Sequence, residues 1–141
     1  MTKPSVLFVC RHNTGRSQMA EAYLRSFLGD TVTVASAGTI AADVPDPGVV
    51  AVMAEDGIDI SKHTSNNVDE YVDIPFDYVI TVCDNAKENC PYFPTTAERF
   101  HYNFPDPAKA TGTPDEVMAE FRRVRDMIKA YSAEFVQTHI A

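Results

Sequence analysis

Between Val6 and Leu28 the chain runs VLFVC, RHNTGRS, QMAEAYLRSFL: an apolar run ending in a cysteine, a tight polar loop, then a segment of helical periodicity. Val6, Leu7, Phe8 and Val9 are continuously apolar and include β-branched residues, the pattern of a strand buried on both faces of a parallel sheet. Cys10 is the first residue beyond that run. From Ser17 onward Met19, Ala20, Tyr23, Leu24, Phe27 and Leu28 recur at helical spacing, and Gly29 stands where a left-handed C-cap belongs. A loop joining a strand end to a helix start is the feature around which the rest of the chain must be arranged.

The N-terminal end of a helix presents unpaired backbone N–H groups and about half a positive charge, and an oxyanion fits there. Arg16 adds a planar fork suited to two oxygens of a phosphate-like group, a geometry that lysine does not match. Cys10 is then aimed at the centre of the bound anion, in the setting where thiols ionise more readily than in water. An isolated cysteine after an apolar run is ordinarily a buried core thiol. Here Cys10, Arg16 and Ser17, whose hydroxyl is placed to stabilise a thiolate, make a whole nucleophile and anion site in one loop, and that context outweighs the plain reading.

CRHNTGRS followed by QMAEA resembles the phosphate loop of the low-molecular-weight tyrosine phosphatase fold, and QMAE resembles its arsenate reductase branch. The resemblance implies an oxyanion cradle formed by Arg11, His12, Asn13, Thr14, Gly15, Arg16 and Ser17. Many relatives have small residues where Arg11 and His12 stand and a further cysteine where Gly15 stands. The two basic side chains bear on access and substrate preference, and Gly15 removes a competing thiol.

The chain has 141 residues with 45% hydrophobic content, which suits one compact domain over residues 1–141 with a core that needs no disulfide staples. Neither a signal peptide nor a run of about eighteen apolar residues is present, so the cytoplasm is the default. A formal charge of -8 argues against a general nucleic-acid surface. An anionic substrate is then drawn by a local positive pocket in an acidic protein. Three cysteines in a cytosolic chain point to reactivity, and their spacing builds no zinc quartet.

Further along, Thr31 to Ala35 reads as a second strand, with Ser36, Ala37 and Gly38 beginning a turn. Asp46 caps a helix with Pro47 in its first position, an apolar face of Val49, Val50, Met53 and Ala54, and Gly57 as its stop. Val68, Tyr71 and Val72 give a short helical pattern closed by Pro75. His63 in the preceding loop reads as a surface or capping group. Tyr78 to Val82 is a third strand run, ending at Cys83 as the first ended at Cys10. Neighbouring parallel strands lie about 4.8 Å apart, compatible with the Cα separation of about 4.4 to 6.8 Å that a disulfide needs. Cys90 follows Cys83 by seven residues. On a helix that is a rise of about 10.5 Å, so a bond between them requires the segment to loop out. Taken alone the pair reads as two unrelated cysteines flanking a loop; with Cys10 added, a thiol relay is the better reading.

Phe100 to Phe104 reads as a last strand leading into Pro105, Asp106, Pro107, where two prolines restrict the loop around one carboxylate. Thr113 to Glu116 is a capping box with proline in the first helical position, followed by a stripe of Val117, Phe121, Val124, Ile128, Tyr131 and Phe135 that reads as core.

The resemblance extends over nearly the whole chain. It implies an α/β three-layer sandwich with a four-stranded parallel sheet, Rossmann-like. VCDNAKENCPYFP resembles the redox segment of thioredoxin-coupled arsenate reductases, with Cys83 and Cys90 in the places of their two redox cysteines, and Asp106 stands where the family has its general acid. Phosphatases of the family commonly follow that acid with an aromatic clamp, whereas Ala108, Lys109 and Ala110 follow here. In some related reductases a potassium ion lies near positions resembling Asn13, Glu21 and Ser36, with an acid where Asn66 stands. The expectation is a monomeric, thioredoxin-dependent arsenate reductase that uses Cys10, Arg16, Cys83, Cys90 and Asp106. It has no tightly bound cofactor, potassium being the one candidate ion, and phosphate and sulfate are look-alikes able to occupy its loop. The alternatives are a phosphotyrosine phosphatase using only Cys10, Arg16 and Asp106, and an oxyanion sensor with a cysteine switch.

Overall fold

The structure, a computed structural model, describes residues 3–13, 15–39, 44–83 and 96–140. Ser5–Cys10 (β1), Thr33–Gly38 (β2), Tyr78–Thr81 (β3) and Glu98–His101 (β4) form one sheet in the order β2-β1-β3-β4, parallel throughout. Val6, Leu7, Phe8 and Val9 have no exposed surface, as their unbroken apolar run requires of a central strand covered on both faces. The sheet is the α/β parallel arrangement expected.

Helices Arg16–Leu28 (α1), Pro47–Glu55 (α2) and Pro114–Phe135 (α3) pack on one face. There Phe8 and Ile80 meet Met19, Tyr23, Val52, Phe121 and Ile128 in the larger core cluster. On the other face Leu7, Val9 and Val79 are covered, among the described residues, by Val68, Tyr71 and Phe76. The helix starts follow the sequence signals. Asp46 accepts a hydrogen bond from Gly48 N with Pro47 in the first helical position, and Thr113 and Glu116 form a reciprocal capping box ahead of α3.

Boundaries moved where local competition decides them. A 3-10 turn at Gly29–Thr31 carries α1 onward, so β2 starts at Thr33 and runs through Ser36, Ala37 and Gly38, where the sequence pattern predicts a turn. Pairing with β1 wins there, because each of those residues lies in register with Phe8, Val9 or Cys10. Gly29 does take a positive φ of 54° with ψ −130°, outside the left-handed helical well of a standard cap. The pattern around Val68 is one 3-10 turn, Val68–Glu70, held by an Asn67/Glu70 capping box. β4 lies earlier than Phe100 to Phe104. Phe104 is fully buried beyond the strand, against Tyr102 and Tyr131.

The strand order turns at β1, with β2 on one side and β3 on the other. The carboxyl end of β1 is therefore the crevice where open α/β sheets bind ligands.

Candidate active site

β1 delivers Cys10 to that crevice with 3% of its surface exposed. Its Sγ lies 2.9 Å from Ser17 Oγ and accepts the Asn13 backbone N–H at 3.2 Å. Asn13 Nδ2 donates to the same Ser17 Oγ at 2.8 Å. That hydroxyl, having accepted from Asn13, has its own proton free to turn to sulfur, so two donors converge on Cys10. Both donors point at the atom a nucleophilic role would use, and Cys10 is not disulfide-bonded.

The loop holds its shape through Asn13, which is fully buried with φ 55°, a left-handed conformation that asparagine tolerates better than most residues. Gln18 Nε2 and Ser65 Oγ donate to its backbone carbonyl, and Asn66 N donates to its Oδ1. The loop also presses on β2: a Cβ on Gly38 would fall 2.6 Å from Arg11 O and 2.9 Å from Asn13 N. Only glycine admits that approach of backbone to backbone.

In front of the sulfur is a cavity of about 70 Å³, room for one tetrahedral oxyanion or a few waters. Cys10, His12, Gly15, Arg16, Asp46 and Asp106 are among the residues that line it. α1 begins at Arg16, so its first amides belong to the cavity's end of the helix. Arg16 is 4% exposed, its guanidinium donating Nη1 to Phe104 O at 3.0 Å while Nη2 stands 3.7 Å from Asp106 Oδ2. Asp106 is itself fixed: its Oδ1 accepts Ala108 N at 3.0 Å. The structure thus brings Cys10, Arg16 and Asp106 together around one cavity. Ala108 is on the wall in place of an aromatic clamp.

Among the other cradle residues, His12 and Gly15 reach the cavity, whereas Asn13 and Ser17 stand behind the sulfur and organise it. Arg11 is half-buried outside the cavity lining, and Thr14 lies outside the described residues, as does Cys90. Cys83 is fully buried and disulfide-bonded. Val9 pairs with Thr81, and continuing that register sets Cys10 beside Val82, one residue short of Cys83. Cys83 O accepts Phe104 N at 3.3 Å, so the residue that anchors Arg16 is tied to the second cysteine as well.

The positions that the resemblance linked to potassium are committed to protein partners. Glu21 Oε1 accepts Ser36 Oγ at 2.7 Å, Glu21 Oε2 pairs with Arg25 at 3.2 Å, and Asn13 Oδ1 accepts Asn66 N at 2.8 Å. A cation there would share the Glu21 carboxylate with the Arg25 guanidinium, and no step below uses one.

Sequence reasoning missed Gln18, Ser65 and the Phe104 carbonyl. Gln18, 1% exposed in the first turn of α1, also donates to Thr64 O and meets His63 Nδ1 at 3.2 Å. A buried glutamine amid an apolar helix face was the available signal, since such a group must find partners.

A cysteine nucleophile, a buried arginine and an aspartate around an anion-sized cavity, at the switch point of a four-stranded parallel sheet, define a phosphatase-like site. The chain belongs to the low molecular weight phosphotyrosine protein phosphatase family, which it matches over residues 5–140. Within that family it is similar to arsenate reductases. It is 45% identical over 138 residues to the arsenate reductase of Halalkalibacterium halodurans, covering 98% of this chain and 99% of that one. A solved arsenate reductase in a phosphate-binding state is 30% identical, with a TM-score of 0.76 and coverage of 95% and 97% of the two chains. A thioredoxin-dependent arsenate reductase of Corynebacterium glutamicum is 31% identical with a TM-score of 0.60, covering 94% of this chain and 63% of that one.

Proposed function

We propose that this protein reduces arsenate to arsenite through a relay of Cys10, Cys83 and Cys90, regenerated by thioredoxin in the cytoplasm, and that it acts as a monomer without a tightly bound cofactor. The observation that carries the reading is the pairing of a free Cys10, cradled by two donors, with a buried, disulfide-bonded Cys83 just past the neighbouring strand. A hydrolytic phosphatase has no use for the second cysteine.

Arsenate enters the cavity with its oxygens toward Arg16 and the first amides of α1. The Cys10 thiolate attacks arsenic, and Asp106 gives a proton to the departing hydroxyl, which leaves as water. The Cys83 thiolate then attacks Cys10 sulfur. The S–S bond forms as the S–As bond breaks, and its electron pair stays on arsenic, which passes from As(V) to As(III) and leaves as arsenite. Cys90 attacks Cys83, releasing the Cys10 thiolate and moving the disulfide to Cys83 and Cys90, where a thioredoxin dithiol reduces it. The free Cys10 and the disulfide-bonded Cys83 support this order of exchange.

The same first step on an aryl phosphate, followed by water, supports weak phosphatase activity as a side reaction. The test is turnover: thioredoxin-dependent consumption of NADPH on arsenate is expected. Phosphate release from an aryl phosphate at a much higher rate, with no reduction, would favour the phosphatase reading.

A further inference from the structure

Two Asp-Pro pairs face the anion cavity, and they are built alike. Asp106 caps the turn at Pro107 with Oδ1 on Ala108 N, and Asp46 caps α2 at Pro47 with Oδ1 on Gly48 N at 2.7 Å. Each carboxyl group is thereby pinned by the amide two residues on, and both residues line the cavity that contains Cys10 and Arg16. The reaction gives Asp106 a task as proton donor and leaves Asp46 with none. Among the described residues, the Gly48 amide is the one hydrogen-bond partner of the Asp46 carboxyl group.

We propose that Asp46 is a specificity-determining residue of the cavity, favouring tetrahedral oxyanions that carry a hydroxyl group, arsenate and phosphate, over sulfate. The inference rests on reading the cavity as an oxyanion site. A carboxylate is an acceptor with no proton to give. An anion with an O–H turned toward Asp46 makes a charge-assisted hydrogen bond, whereas sulfate, with no proton near neutral pH, sets its oxygen lone pairs against the carboxylate. Charge alone does not produce the difference, because hydrogen phosphate and sulfate are both dianions that Asp46 repels. The cation that attracts either anion is Arg16, and His12 is the other basic side chain of the lining, so neither separates the two ligands; Asp106, the second carboxyl group there, stands 3.7 Å from the Arg16 guanidinium, whereas Asp46 has no such ion pair among the described residues. Sites built to pair with a substrate hydroxyl reject analogues lacking it far more strongly than apolar pockets reject a change of size.

The test measures protection of Cys10 from alkylation by iodoacetamide, mapped to its peptide, as inorganic phosphate or sodium sulfate is titrated at constant ionic strength. In the wild-type protein sulfate should need at least about ten-fold more anion than phosphate for equal protection, the scale of one lost charge-assisted bond. Asp46→Asn keeps an equally good helix cap but presents a donor as well as an acceptor, and should shrink that ratio toward one. Asp46→Ser, also a cap, should do the same, with far-UV circular dichroism checking that α2 persists. Equal protection by both anions in the wild type, or a ratio unchanged in both folded variants, would overturn the proposal and leave Asp46 a cap only. Arsenate turnover by the same wild-type sample separates the two claims. Turnover without anion discrimination defeats the role of Asp46, and discrimination without turnover defeats the reductase reading alone.

Discussion

The carboxyl ends of β1 and β3 lie side by side, and each delivers a cysteine with almost no exposed surface, Cys10 at 3% and Cys83 at 0%. Their surroundings differ. Cys10 opens a loop whose amide and hydroxyl converge on its sulfur, and a cavity with Arg16 and Asp106 lies before it. Cys83 makes a disulfide, and its described contact with the loop beyond is through its backbone carbonyl. Burial and strand position therefore do not set a thiol's chemistry; the donors aimed at the sulfur and the space in front of it do. One end is equipped to attack an anion; in the proposed relay the other exchanges disulfides.

The sharpest way to break this contrast is to remove each sulfur and follow two reactions. Cys10→Ser should abolish both arsenate reduction and aryl phosphate hydrolysis. Cys83→Ala should abolish reduction and leave aryl phosphate hydrolysis within a few-fold of wild type. Reduction surviving in a clean Cys10→Ser sample, or hydrolysis lost with Cys83, would dissolve the distinction between the two ends.

Arg16→Lys should come next in size. A buried fork that reaches both Phe104 O and the Asp106 side becomes a point charge, and both reactions should fall by about 10² to 10³ in kcat, the usual scale for losing a donor to developing negative charge. Near-normal kinetics in a folded variant would place the anion elsewhere. Gly38→Ala should act more weakly and at the Cys10 end alone. Its Cβ meets backbone that has no flexible end to yield, which costs about 1 to 3 kcal/mol and tilts the loop. Urea midpoints should drop while the reactivity of Cys83 in the denatured and refolded protein stays as in wild type.

The loop was legible because its chemistry is compressed into contiguous residues: Cys10, Arg16 and Ser17 announce a nucleophile and an anion site by spacing alone. Strand β1 and the starts of α2 and α3 were legible for the same reason, through an unbroken apolar run and local capping signals at Asp46 and Thr113. The neighbouring ends of β1 and β3 were anticipated from two apolar runs that each terminate in a cysteine. What could not be read depends on distant partners. β2 shifted because its register is set by β1, and β4 because Phe104 is drawn into the aromatic cluster with Tyr102 and Tyr131. Ser65 and Asn66 hold Asn13 from 52 and 53 residues away, and no local pattern carries that information. The pairing of Glu21 with Arg25 and Ser36 is likewise decided by packing.

The relay is tested most directly by counting arsenite released per enzyme from Cys90→Ala under excess arsenate with thioredoxin, thioredoxin reductase and NADPH. In the proposed relay Cys10 and Cys83 suffice for one reduction, and the disulfide they would leave joins two buried residues, where an incoming thiolate has little access. The account predicts a single burst of about one arsenite per enzyme, with the Cys10 to Cys83 disulfide recovered by mass spectrometry. Sustained turnover at the wild-type rate would contradict it.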